Sequence, residues 1–323
     1  MTVRVAMKAP VILLAVWWTI VAGNVVRGAE REMTKVFAVQ PGGTVQVDSY
    51  RGSITVDEGD APEVRITVQF DFNVDTEAEA ERLRAELQLD VKQEENAVVV
   101  TARNPSETGF RFSWQDQVRM ELNYQIAVPR ACNLTLKTAS GNITVGRVAG
   151  RMIAEVEKGS AFFRQVDGSI DARARFGNIV ISRCSGAVTA RVLRGSISAG
   201  TLAGAADLKA TNGAIDVLMV RDACTALAEA GDVTVGFPST IAQPAKITAS
   251  GGTITAKIDP TANCDVAASA LWGAAKCALP LTGEGREESS RRITGRLNRG
   301  GPLLTFRANG GSVKIEPGET LFE

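Results

Sequence analysis

Glycine recurs every nine residues, at positions 141, 150, 159, 168, 177, 186, 195, 204 and 213, and after Asp222 it returns at 231. A fixed period of this kind marks stacked supersecondary units rather than a globule. Nine is odd, so strict in–out alternation would exchange the faces of a strand at every repeat. Each glycine must therefore mark a corner that resets the pleat, using backbone angles other residues resist. One strand and one corner cannot return the chain to its start, whereas two can. The spacing predicts a coil of about 18 residues carrying two strands.

The residues that follow each glycine support two unequal sides. Alternate repeats open Gly141-Asn142-Ile143, Gly159-Ser160-Ala161, Gly177-Asn178-Ile179 and Gly195-Ser196-Ile197, with a polar residue next to the glycine. Their apolar residues fall mostly two, four and seven places on, as in Ile143, Val145 and Val148. The intervening repeats use two, four and six instead, as in Met152, Ala154 and Val156, and are richer in alanine. Two thin sheets packed closely fit this pattern. A three-sided coil of about 27 residues fits the alternation less well. The fold class read from the chain is all-β: a parallel β-helix or β-solenoid of two-strand coils, about 26 Å long over its regular part.

Flanking segments divide the rest. Residues 30–130 read as a β-rich N-terminal capping region with one helix, in which Thr76 and Glu79 form a capping box and Ala80, Leu83 and Leu87 share a face. This part is acidic. Residues 131–323 read as the solenoid, regular over 141–238 and irregular over 239–323. Arg4 and Lys8 precede an apolar run from Val11 to Val21, which reads as an export signal within residues 1–29. Cleavage after Gly23 or Gly28, or retention as an anchor, are both open. The expected location is periplasmic, extracellular or at the cell envelope.

Several runs resemble a known family: Pro41-Gly42-Gly43-Thr44-Val45, Gly52-Ser53-Ile54-Thr55-Val56, Ile126-Ala127-Val128-Pro129-Arg130 and Gly141-Asn142-Ile143-Thr144-Val145. The ending Leu297-Asn298-Arg299-Gly300-Gly301-Pro302, then Gly311-Ser312-Val313-Lys314-Ile315, is similar too. Together they resemble the bacterial putative-adhesin family of envelope β-solenoids. The resemblance implies a secreted or periplasmic solenoid without an established biochemical activity, some members being linked to envelope stress. It carries over no catalytic residues.

The composition excludes much chemistry. The chain has no histidine, which removes Ser-His-Asp and Cys-His catalysis and His-containing zinc sites. The 36 Lys+Arg equal the 36 Asp+Glu, so net charge offers no case for nucleic acid. Calcium β-rolls repeat an aspartate at one place, but Asp167, Asp171, Asp207, Asp216 and Asp232 are sporadic. No cofactor or metal is expected. Five cysteines include one pair close in sequence, Cys264 and Cys277, as a disulfide candidate.

Three surface features remain. Asp171 and Asp207 stand at one position two coils apart, about 9.6 Å along the stack, at the limit for an inverting glycosidase pair. Arg173, Arg191 and Lys209 lie beside them, and neighbouring positive charge works against a general acid. The aspartates therefore read as charge neutralisers. The basic row itself, with Arg175 and with Arg147, Arg164 and Arg183 nearby, is a candidate site for an anionic envelope polysaccharide. Phe110, Phe112 and Trp114 alternate and could share one strand face against a sugar or partner. The functional expectation is an exported, adhesin-like protein without catalytic activity. The alternatives are a periplasmic sensor that binds a membrane protein and a carbohydrate-active β-helix enzyme.

Overall fold

The computed structural model describes residues 31–105, 118–288 and 291–318. The proposed export signal and the aromatic stripe Phe110, Phe112 and Trp114 lie outside the described residues.

The chain winds as a two-sheeted solenoid whose strands alternate between a 13-stranded and a 14-stranded sheet. One sheet, here the isoleucine sheet, takes Ile143–Ala149, Ala161–Asp167, Ile179–Cys184, Ile197–Leu202, Ile215–Val220 and Val233–Phe237. The other, the alanine sheet, takes Cys132–Ser140, Met152–Lys158, Ile170–Phe176, Val188–Arg194, Ala206–Asn212 and Cys224–Ala230. Registers fix the coil length, since Met152 pairs with Ile170, Ile170 with Val188, and Ala161 with Ile179, all in parallel. The coil is thus two-sided with an 18-residue period, as the glycine spacing predicts.

The two apolar patterns mark the inner faces. Ile143, Val145 and Val148 are buried, as are Met152, Ala154 and Val156. Isoleucine and valine from one sheet meet many alanines from the other, which keeps the sandwich thin. One core runs the length of the molecule and reaches from Val39 to Ile315.

Corners explain both the glycine and the polar residue after it. At Gly177 φ is +143°, and an added Cβ would lie 1.8 Å from the backbone oxygen of Gly159 on the rung beside it. No side chain fits between rungs spaced about 4.8 Å apart. The next residue then stitches rung to rung. Asn142 Oδ1 accepts from the Ser160 backbone N–H (2.9 Å), Ser160 Oγ from Asn178 (3.0 Å), and Asn178 Oδ1 from Ser196 (2.8 Å). Ser196 Oγ accepts from Ala214 (3.3 Å), where alanine interrupts the row, and Asp232 resumes it toward Thr253 (2.7 Å). A corner N–H that the ladder cannot reach thereby gains an acceptor.

Both ends depart from sequential stacking. The early coil of Gly43–Ser49 and Ile54–Glu58 lies between Cys132–Ser140 and Ile143–Ala149 on one side and Ala97–Arg103 and Met120–Val128 on the other. At the far end the last coil, Leu303–Ala308 and Val313–Pro317, is inserted between the strands at 245–258 and those at 264–277. Antiparallel strands follow outside: Gln88–Glu94 against Ala97–Arg103, Glu63–Phe72 against Met120–Val128, and Arg292–Leu297 against Cys264–Ala270. They cover rows of backbone groups that would invite edge-to-edge pairing. The one described helix, Glu77–Glu86, starts at Thr76, whose hydroxyl accepts from the Glu79 N–H (3.3 Å), and it buries Ala80 and Leu83.

Candidate binding groove

The outward residues of the alanine sheet line up rung by rung. One row runs Asp48, Lys137, Glu155, Arg173, Arg191 and Lys209 through successive strand pairs. The predicted basic residues Arg173, Arg191 and Lys209 do stand in one row, on adjacent coils. The row beside it carries Ile153, Asp171, Thr189 and Asp207.

Near the end of each strand the register passes over one residue. Val156 pairs with Ala174 and Lys158 with Phe176, while Glu157 and Arg175 fall outside the pairing. Consecutive residues such as Glu157 and Lys158 are then both exposed. Along this side of several coils lies a groove of about 880 Å³. Leu193 is the exposed apolar side chain along it, while Val156, Ala174 and Val192 beneath it belong to the core. Arg103, Lys137, Arg173, Arg175, Arg191 and Lys209 line the groove as cations, against the carboxylates of Asp48, Glu155 and Glu157.

Every one of those cations has a carboxylate partner. Glu155 lies between Lys137 (2.9 Å) and Arg173 (3.4 Å), and Arg173 also meets Asp171 (3.0 Å). Arg175 pairs with Glu157 (3.2 Å), Arg191 with Asp207 (3.2 Å), Lys209 with Glu229 (2.7 Å) and Arg103 with Asp48. The side chains of these cations are 43–57% exposed, so each pair is worth no more than about 1 kcal/mol. Such pairs prevent repulsion between like charges one rung apart, yet they yield to a competing anion at little cost. Beside the groove the guanidinium groups of Arg175 and Arg194 each lie 5.5 Å from the centre of the Phe176 ring.

Other residues singled out in the sequence are placed differently. Arg147 and Arg183 lie in a row through Gln165 on the isoleucine sheet, and Arg164 belongs to that sheet as well. A nine-residue half-coil puts them on the opposite side from Arg173, so they do not extend the basic row. Asp171 and Asp207 are two rungs apart with Thr189 between them, each held by an arginine. Cys264 and Cys277 sit on different sheets as thiols, with no disulfide joining them. Burial pushes the Cys264 thiol up to about 11, with the nearby Asp265 and Cys277 adding to it. Among the described residues, no three acidic or cysteine side chains converge as a metal-ligand set.

Sequence reasoning missed the near end of the groove. Tyr50, Asp48 and Arg103 line it from the early coil and its neighbour. The signature Gly52-Ser53-Ile54 marks a coil there, but nothing in the chain order shows that it stacks directly below Cys132–Ser140.

The architecture defines a two-sheeted parallel β-solenoid with antiparallel strands outside both sheets at its N-terminal end and outside the alanine sheet at the other. Within that class the chain belongs to the Toastrack DUF4097 family, whose model matches residues 44–316. Solved structures similar to it include a putative adhesin from Parabacteroides merdae (13% identity, 90% of this chain and 98% of that one, TM-score 0.41). A putative adhesin from Parabacteroides distasonis (13%, 89% and 98%, 0.40) and one from Bacteroides fragilis (13%, 90% and 98%, 0.39) are comparable. No curated protein matches the chain.

Proposed function

We propose that this protein is an exported, non-catalytic binding protein of the cell envelope, and that its groove holds an extended anionic polysaccharide. The observation that carries this reading is the row Arg173, Arg191 and Lys209, one cation per coil along the groove, in surface pairs that exchange readily. A chain with regularly spaced carboxylates can replace Asp171, Asp207 and Glu229 at these cations while a pyranose face rests on Leu193. Many weak contacts along one track then add through multivalency. Export is supported by the residue pattern of positions 4–28, and family membership is consistent with it.

A polyuronate such as alginate, compared with a neutral glucan of similar length, tests the reading. Binding of the polyuronate is expected to weaken steeply with salt and to be lost when Arg173, Arg191 and Lys209 are all changed to Ser. Equal binding of both polymers, or indifference to the triple substitution, would remove the groove from the account. Polymer cleavage abolished by Asp207→Asn would overturn its non-catalytic part.

A further inference from the structure

The basic row of the groove is broken at one rung. In order along the stack it reads Asp48, Lys137, Glu155, Arg173, Arg191 and Lys209, and the next two rungs carry Leu227 and Thr248. With rungs about 4.8 Å apart, the uninterrupted cations from Arg173 to Lys209 span only about 10 Å. Lys137 would carry the track to about 19 Å, but Glu155 stands between.

Glu155 differs from the other carboxylates of the groove in where it sits. Asp171 and Asp207 hold Arg173 and Arg191 from the row alongside, and Glu229 reaches Lys209 from a position outside the strand pairing. An incoming carboxylate can displace each of these sideways and leave the row itself to the polymer. Glu155 occupies the row. One of its oxygens holds Lys137 at 2.9 Å and the other holds Arg173 at 3.4 Å. Displacing it means breaking two pairs together, and its charge stays in the track, where it repels a polyanion at one-rung spacing. Glu157 provides the contrast: it lies on the same strand and pairs with Arg175, and neither belongs to the row.

We propose that Glu155 limits the stretch of polymer that the groove reads to the three rungs Arg173, Arg191 and Lys209, an inference that rests on the polyuronate reading of the groove. Three cations within about 10 Å call for a uronate in nearly every sugar. A polymer with long neutral repeats would meet one cation at a time and lose the gain from multivalency.

Oligouronates from disaccharide to decasaccharide, titrated against the full chain, Glu155→Gln and Glu157→Gln, test this. For the unsubstituted protein, affinity should rise with oligomer length and level off once Arg173 to Lys209 is spanned. Glu155→Gln should bind the longest oligomer about tenfold more tightly, gain no more than about threefold on the shortest, and level off at a greater length. Its affinity should also fall more steeply with salt, since Lys137 joins the contacts. Glu157→Gln removes the same charge outside the row and should stay within about twofold of the unsubstituted protein, with the same plateau. Equal gains in the two variants would make the effect one of net charge and overturn the proposal. An unchanged plateau in Glu155→Gln would overturn it too, with the groove reading left standing. Oligouronates that bind neither the unsubstituted protein nor Glu155→Gln would instead bring down the groove reading itself, and the proposal with it.

Discussion

Changing Gly177 to Ala tests the corner on which the whole stack depends. The new Cβ would sit 1.8 Å from the Gly159 oxygen and 2.5 Å from its carbonyl carbon, both backbone atoms that cannot swing aside. Relief requires the corner to shift by more than an ångström. That shift disrupts the bonds Gly177 N–H to Arg194 O (2.9 Å) and Gly159 N–H to Phe176 O (2.8 Å). Two backbone bonds at about 1 kcal/mol each, with about 1–2 kcal/mol for an L-residue at positive φ, total roughly 3–4 kcal/mol. For a chain of this size such a loss lowers Tm by roughly 6–16 °C, readable by circular dichroism. Gly42→Ala separates the two causes: φ is +81° there, but nothing lies within 4 Å of the added atom. It should cost only the backbone part, about 1–2 kcal/mol. A Gly177→Ala protein no less stable than Gly42→Ala would refute the close contact between rungs.

Three further outcomes follow from other parts of the molecule. Ala214→Ser restores the missing acceptor in the corner row and should stabilise by about 0.5–1 kcal/mol, whereas Asn178→Ala should cost about 1 kcal/mol; urea midpoints measure both. A chain ending at Gly301 loses a coil that lies inside the stack rather than at its tip, so amide exchange should accelerate on both sides, in residues 245–258 and 264–270. Burial pushes the thiols of Cys132 and Cys264 up to about 11 and that of Cys224 to about 12. Between about pH 9 and those values the unfolded chain holds fewer thiol protons than the folded one. The thiols' contribution is therefore intact below about pH 8.5 and is lost as pH rises through 9 to 12, a decline that a Cys132→Ala, Cys224→Ala, Cys264→Ala variant should flatten.

The regular coils were legible because their constraint is local. A corner that excludes Cβ forces glycine at fixed spacing, and the positions of Val148 and Val156 relative to it distinguish the two sheets. The row Arg173, Arg191, Lys209 followed from the same arithmetic. The groove did not, since its lining also draws on Asp48, Tyr50 and Arg103, which chain order does not place beside the row. The order of coils at the two ends was also hidden. Gly52-Ser53-Ile54 and Gly311-Ser312-Val313 carry the corner signature, but insertion between other coils depends on pairings across as many as 89 residues, as between Ile54 and Ile143. The placing of Arg147, Arg164 and Arg183 beside the basic row failed for a simpler reason: an offset of nine changes sheet.

The two-sided coil carries the groove, the corner row and the core alike, and one distance measurement tests it most directly. Spin labels at Ser198 and Asp216, exposed partners on adjacent rungs, should show strong dipolar broadening. Labels at Ser198 and Thr225, on the outer faces of opposite sheets, should show none at that range. Strong broadening for the second pair and not the first would mean a three-sided coil of about 27 residues, and would contradict the account.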